Sequence, residues 1–417
     1  MSEMKKKLTI IGGGITGCAL ALHASKKNYE VQIFEKNSFL GGILRDAHFD
    51  KHLFFQNCQY LNPNNKWYKK LFGNNFHFEA FYHKKYTLSN LEGREKLFKD
   101  IAGLPITRDI KFTNLSLNSK KIISLNNRLK LYPSSISSQI FKWLTKFKFE
   151  VNDLSYLSCD GLGLRRIFPQ KNLNLLKRLK QKHKNYDDLF GLPNNLLYPK
   201  KIFATLPKRG FNYFFNQITK NLLEAGVKIS FNAVVKPEWQ KKFLKIKYKN
   251  NFVKSDYFFW TGNPTGLIKS YGLPLLDSRH INGKNFFFNL FGKINNNFYI
   301  QVFDANIPIT RLFVYKLKNM LKLTVETNSR ELKNADIIKY CNKLFNRYFK
   351  KEGLKINGNL NFTKENKKYV LVTKKDLKII EKFNNETKNS NLITGCWLKY
   401  SRDEKINYAI KNFEKIK

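Results

Sequence analysis

A short apolar strand that runs straight into closely spaced glycines and then into a helix leaves a chain few options, and this one begins with such a unit. Leu8-Thr9-Ile10-Ile11 enters Gly12-Gly13-Gly14-Ile15-Thr16-Gly17, Cys18 to Ser25 is rich in Ala and Leu, and Glu30-Val31-Gln32-Ile33-Phe34 returns as a second apolar run ending at Glu35. The order strand, glycine turn, helix, strand is the βαβ unit whose first turn binds a dinucleotide. Gly12 permits the tight turn, Gly14 lets backbone approach a pyrophosphate with no Cβ in the way, and Gly17 lets the helix pack on the sheet. The helix start at Ile15 and Thr16 then offers free N–H groups and a positive dipole end to the phosphates. Glu35 lies where a carboxylate accepts ribose hydroxyls, which makes a 2′-phosphate unwelcome.

The rest of the chain has room for more than this unit. Its 417 residues, 42% hydrophobic, suit two or three domains with sizeable cores. The net charge of +45 raises nucleic acid as a partner, but the lysines are scattered among many Asn, Ile, Phe and Tyr, all residues with A/T-rich codons. No basic recognition module appears, so nucleic-acid binding is not expected, while the positive surface suits a phosphorylated substrate. Cys18, Cys58, Cys159, Cys341 and Cys396 are widely separated and the seven histidines lack ligand spacing, which argues against a structural metal and for a reducing cytoplasm. Lys5 to Lys7 before the apolar run to Ala24 imitates a signal peptide, but glycines interrupt it. No stretch approaches the roughly 18 apolar residues of a spanning helix, which leaves room only for peripheral membrane contact.

Beyond Glu35 the residues turn the reading toward one cofactor. Glu35-Lys36, four residues and then Gly41-Gly42 resemble the E-K-x4-G-G extension of the flavoprotein superfamily that includes amine oxidases, protoporphyrinogen oxidase and UDP-galactopyranose mutase. That resemblance implies FAD. It continues in Leu206 to Gly210, a helix from about Asn212 to Glu224, a strand from Val227 and the Val234-Val235 pair, whose counterpart lies beside the adenine. Asp256 to Trp260 reads as a buried strand running into Thr261-Gly262, and Asn391 to Thr394 as another running into Gly395. A terminal helix from Asp403 to Phe413 follows, which by resemblance closes over the flavin. The expected fold is α/β: a Rossmann-type FAD-binding domain from residues 1–65, 200–265 and 386–417, a mainly helical insertion at 66–199, and a substrate domain with a mixed sheet at 266–385. The cofactor-binding candidates are Gly12, Gly13, Gly14, Ile15, Thr16, Gly17, Glu35, Lys36, Gly41, Gly42, Val234, Thr261, Gly262, Gly395 and Asp403.

Gln301 to Leu312 contains Asp304-Ala305-Asn306-Ile307-Pro308-Ile309-Thr310-Arg311, which is similar to the D-A-N-x-P-x-T-R segment of UDP-galactopyranose mutases. In that family the arginine contacts a sugar-nucleotide diphosphate, so the resemblance implies Arg311 as a substrate residue, with Arg165, Arg166 and Tyr369 as further candidates. A guanidinium fork suits a diphosphate and keeps its charge at neutral pH. The implied reaction uses the N5 of reduced flavin as nucleophile on a nucleotide-linked sugar, with NAD(P)H as an external reductant. Two departures separate the chain from the family. Gln56-Asn57-Cys58-Gln59-Tyr60-Leu61-Asn62 stands where the mutases carry two histidines, and Cys396 follows Gly395 where they carry arginine. The alternative is an FAD oxidoreductase of the amine oxidase or protoporphyrinogen oxidase type, taking a hydride from an apolar amine or ring substrate. The catalytic residue is not assigned on either reading.

Overall fold

The computed structural model describes residues 5–62, 65–72, 78–82, 84–101, 103–109, 124–146, 151–164, 167–182, 186, 189–191, 203–277, 279–357, 362–395, 397–398 and 401–416. The first strand, β1 (Lys7–Ile11), leads into helix α1 (Ile15–Ser25) and back into β2 (Glu30–Phe34), as the glycine pattern requires. Three strands from far along the chain complete a parallel sheet: Lys228–Ser230 pairs with β2, Tyr257–Trp260 pairs with β1, and Leu392–Ile393 pairs with Tyr257–Trp260. Numbered by sequence, its spatial order is 3-2-1-4-5, the doubly wound arrangement whose ligand crevice lies at the carboxyl ends of the strands. Every residue of α1 from Ile15 to Leu22 is buried, because Phe211–Glu224 and the C-terminal helix Arg402–Phe413 both pack against it.

The second layer is a sheet of eight described strands built around Arg279–Phe291, Met320–Thr327, Ile309–Leu317 and Phe298–Phe303. Side chains alternate across it. Ile300, Leu312, Val325 and Phe286 face the helix Asn334–Tyr348, into which Ile337, Cys341 and Phe345 are packed. One residue along each strand, Gln301, Arg311, Glu326 and Asn285 form a cross-strand row on the opposite face. This face roofs the first domain.

The stretch 66–199, expected to be mainly helical, corrects that expectation in part. It holds the strands Phe78–Tyr82, Lys84–Ser89, Lys96–Lys99, Leu104–Ile106 and Ile167–Pro169 as well as the helices Lys66–Phe72, Leu125–Leu129, Ser134–Lys146, Ser158–Gly161 and Leu173–Lys182. Lys84–Ser89 joins the roof sheet by pairing in parallel with Phe298–Phe303, more than two hundred residues away. Such a partner is invisible to local periodicity, and Lys, Phe and Leu in quick alternation fit a period of 2 as well as 3.6. Pro133 does separate two helices there, as its missing N–H demands.

Asp46 joins the two halves of the cofactor layer. Helix Phe211–Glu224 starts after Gly210, which has no side chain to cap it. Asp46 supplies the cap from a distant strand, accepting from the N–H groups of Phe211 (3.0 Å) and Asn212 (2.8 Å). Burial pushes the Asp46 carboxyl up from 3.8 to about 6, against the pull of those two N–H groups. Asp46→Ala should cost about 1–3 kcal/mol in denaturant unfolding, the value of a lost cap plus two orphaned donors. The folded chain holds this proton over a pH range in which the unfolded chain has lost it. Its stabilisation is therefore complete at low pH and is lost as pH rises through about 6. The stability gap between wild type and Asp46→Asn should narrow between pH 4 and pH 7, and a constant gap would exclude this titration.

Candidate functional site

The glycine turn is held open from below. Gly12 sits at φ +102°, and the Thr261 hydroxyl lies 3.1 Å from the carbonyls of both Ile11 and Gly12. The Gly13 N–H donates to Glu35 Oε2 at 2.7 Å, while Glu35 Oε1 accepts from the Asn37 N–H at 2.9 Å and from its side-chain amide. Glu35 is thus buried at the end of β2, with lone pairs left over for hydroxyl donors. Gly41-Gly42 returns to the same turn: the Gly41 N–H donates to Gly13 O at 2.8 Å, and Gly14 and Gly41 form an isolated bridge. The two glycine motifs of the sequence are one loop pair in space.

The cradle fits a dinucleotide. A Cβ built on Gly14 meets nothing within 4 Å, whereas one on Gly17 falls 2.2 Å from the Gly12 carbonyl. Open space above the second glycine and tight packing under the third are what pyrophosphate binding and helix packing require. Ile15, Thr16 and Gly17 open a helix with no acid in its first turn. Ala233 donates to Glu35 O at 2.9 Å, and beside it Val234 leaves 71% of its surface bare, an apolar contact suited to an adenine. Lys36 is exposed, and Gly262 follows Thr261 out of its strand. Gly395 lies against the Trp260 carbonyl and the Trp397 indole, either of which a Cβ would meet at 2.5 Å. Arg45 was not among the sequence candidates. Its guanidinium stacks over Phe39 at 4.0 Å from the ring centroid, and its Nε is buried with no hydrogen-bond partner among the described residues. Burial lowers its pKa, with Glu35 opposing the shift. An underbonded cation on the Gly41-Gly42 loop suits the pyrophosphate of FAD, and its closeness to the glycine pair was the available signal.

The roof is tied to the segment that follows. The Tyr315 hydroxyl accepts from the Phe55 N–H at 2.8 Å and Thr324 donates to Phe55 O at 2.9 Å. Asn285 donates to Gln56 O at 2.6 Å and to Asn57 Oδ1 at 3.1 Å. Glu326, with no exposed side-chain surface, accepts from the Cys58 N–H at 2.6 Å through Oε1 and from Arg311 Nε and Nη2 at 2.9 and 2.8 Å through Oε2. From the other side Arg402 donates to Gln59 Oε1, and to Tyr60 O at 2.6 Å. Tyr60 then lies parallel to Tyr299, centroids 6.3 Å apart and planes 15° apart. Burial first, and then Cys58, push both phenols up, and Tyr60 adds to the rise at Tyr299, against the pull of Arg311 on both and of Arg402 and the Tyr299 hydrogen bond on Tyr60. Both rings pack on the cluster that includes Leu40, Leu44 and Cys58, which joins the tyrosines to the cradle loop.

Several sequence candidates take other places. Asp403 spends its carboxylate on the protein, accepting from the Tyr68 hydroxyl (2.8 Å) and the amides of Asn65 (2.7 Å) and Asn62 (3.1 Å). The D-A-N segment shapes its own turn, since Asp304 accepts from the Asn90 amide at 2.6 Å and the Asn306 N–H at 2.7 Å. Tyr369 lies on the strand Phe362–Leu371, at the register shift opposite His280 and Ile281. Arg165, Arg166 and Cys396 lie outside the described residues. The Cys18 thiol is buried and its pKa is driven up mainly by desolvation, so it is inert packing.

Comparison with known proteins agrees with this geometry. The family described as the NAD(P)-binding Rossmann-like domain matches residues 10–73. Phytoene desaturase of Fusarium fujikuroi is 41% identical over 56 residues, 13% of this chain and 10% of that protein. The chain therefore spans only about a tenth of that relative's length. Among solved structures, reduced UDP-galactopyranose mutase matches with a TM-score of 0.65 at 12% identity, covering 98% of this chain and 94% of the other. Putrescine oxidase bound to putrescine matches with a TM-score of 0.58 at 11% identity, covering 99% of each. The class that fold and cradle define is a protein with a Rossmann-type dinucleotide-binding domain, and FAD is the cofactor its cradle residues fit.

Two sets of variants probe the site. Gly17→Ala should lose about 1–3 kcal/mol of stability through overpacking against backbone. Gly14→Ala should unfold like wild type yet bind FAD about tenfold more weakly, a loss near 1.4 kcal/mol by fluorescence titration. Arg311→Ala strands the buried Glu326 charge and should cost about 3–5 kcal/mol. The double variant Arg311→Ala/Glu326→Gln should recover part of that loss, giving a coupling energy of about 1 kcal/mol or more in a double-mutant cycle.

Proposed function

We propose that the chain is an FAD-dependent enzyme of the oxidoreductase type that takes a hydride from an apolar substrate held between the cradle and the roof. The observation that carries this reading is the engagement of Arg311: a buried carboxylate takes up Nε and Nη2, one of the two edges the guanidinium could offer a diphosphate. When bound, FAD would supply the two-electron acceptor for a hydride from a substrate C–H bond. The chain's own residues do the rest. Glu326 and Arg402 fix Cys58 to Tyr60, the parallel tyrosines offer flat apolar walls with protonated hydroxyls, and the roof strands exclude water.

A second reading, mutase-like chemistry on a nucleotide-linked sugar, has support in the resemblance of residues 301–312 and in the likeness of fold to UDP-galactopyranose mutase. Arg311→Lys separates the two, because it keeps a charge beside Glu326 and removes the fork. On the hydride reading, anaerobic mixing with an apolar amine, porphyrinogen or polyene bleaches the flavin absorbance, and the variant bleaches at a similar rate. Tight binding of UDP-sugars to the reduced protein, weakened about tenfold or more by Arg311→Lys, together with no bleaching by any apolar compound, would reverse the order of the two readings.

A further inference from the structure

The three-stranded meander Val235–Gln240, Phe243–Tyr248 and Asn251–Phe252 follows directly on Val234, and nothing in the proposed chemistry uses its outer face. Its inner face is ordinary: Leu244 and Ile246 are buried against Leu267, Ile268 and Phe383. The outer face is unusual. Residues 235–254 carry seven lysines, one glutamate and no arginine. Lys236 stands directly opposite Lys247, and Lys247 directly opposite Phe252. A like-charged cross-strand pair opposes the fold. Genome bias accounts for the number of lysines, not for their meeting on one face with a single acid among them. Two large apolar rings share that face, Phe243 with 59% and Phe252 with 49% of their surface exposed, one at each turn of the meander. The ammonium groups of Lys245 and Lys247 lie 5.5 and 5.8 Å from the Phe252 ring centroid. Beside Phe252 opens a cleft of about 380 Å³ whose wall includes Lys7 with its ion-pair partner Glu30, Gln32, Tyr248, Lys249 and Lys254.

We infer that this face docks on an anionic phospholipid surface, with the two phenylalanines entering the interface and the lysines meeting headgroup phosphates. Lysine ammonium groups around exposed aromatic rings are the chemistry of peripheral attachment to acidic membranes. No described helix is long and apolar enough to cross a membrane, so attachment of this kind is reversible and salt-sensitive. The face carries no guanidinium, the group that most often reads bases and stacks on them, and this favours lipid over nucleic acid.

The test is sedimentation of the full chain with vesicles of phosphatidylcholine alone or with 30% phosphatidylserine, at 50 and 150 mM salt. The expected result is binding to the acidic vesicles only, weaker at the higher salt. Lys→Gln at positions 245, 247 and 249 should lower partitioning by about fivefold per lysine, and Phe243→Ser/Phe252→Ser should lower it without changing net charge. Lys→Gln at 339, 343 and 350, three exposed lysines on and beside the helix Asn334–Tyr348, supplies an equal change of net charge elsewhere. Equal losses in the two lysine sets would overturn the proposal in favour of bulk charge. So would tighter binding to a duplex RNA oligonucleotide than to acidic vesicles at 150 mM salt, or release from vesicles by millimolar glycerophosphoserine. Thermal unfolding of each variant separates lost binding from lost fold.

Discussion

A carboxylate sealed from solvent has to find its partners inside the protein, and Glu326 finds them in two different layers. One oxygen takes the Cys58 N–H at 2.6 Å, and the other takes the Arg311 guanidinium at 2.8 Å. Removing either partner would leave a desolvated charge, which costs far more than the intact arrangement contributes. The roof sheet and the segment after the cradle are therefore registered to each other by electrostatics as well as by packing. Whatever sits between them meets walls of fixed position, a condition for orienting a substrate.

The second constraint arrives from the end of the chain. Arg402 reaches Gln59 and Tyr60, and Asp403 gathers Tyr68, Asn65 and Asn62, so the first turn of the last helix pins these five residues. The same helix packs along α1, behind the glycine turn. Cofactor layer, tyrosine pair and terminal helix thus form one mechanical unit. A change in the last fifteen residues should be felt at the far end of the sequence.

The cradle was legible in the sequence because its chemistry is local. Gly12, Gly14, Gly17 and Glu35 act through backbone geometry over fewer than thirty residues, and the strand and helix periods around them are unambiguous. Asp46 and Arg402 were not legible. Each acts on residues from another part of the fold, and an isolated Arg or Asp reads as a surface charge until its partners appear. The strands between Phe78 and Ile106 escaped for a related reason, since their partners are distant or lie in the roof. The 301–312 segment is the instructive case. Its resemblance pointed to Arg311, but Asp304 proves to shape a turn and Arg311 to hold a buried acid.

By itself the sequence determined a βαβ unit, a dinucleotide and its end of the sheet, because steric demands at glycine and alternation in a strand act between near neighbours. Only the tertiary structure decided which polar residues of the roof remain available. Desolvation makes a buried charge seek a partner, and the partner that Arg311 received, Glu326, is set by strand register across the sheet rather than by any spacing along the chain.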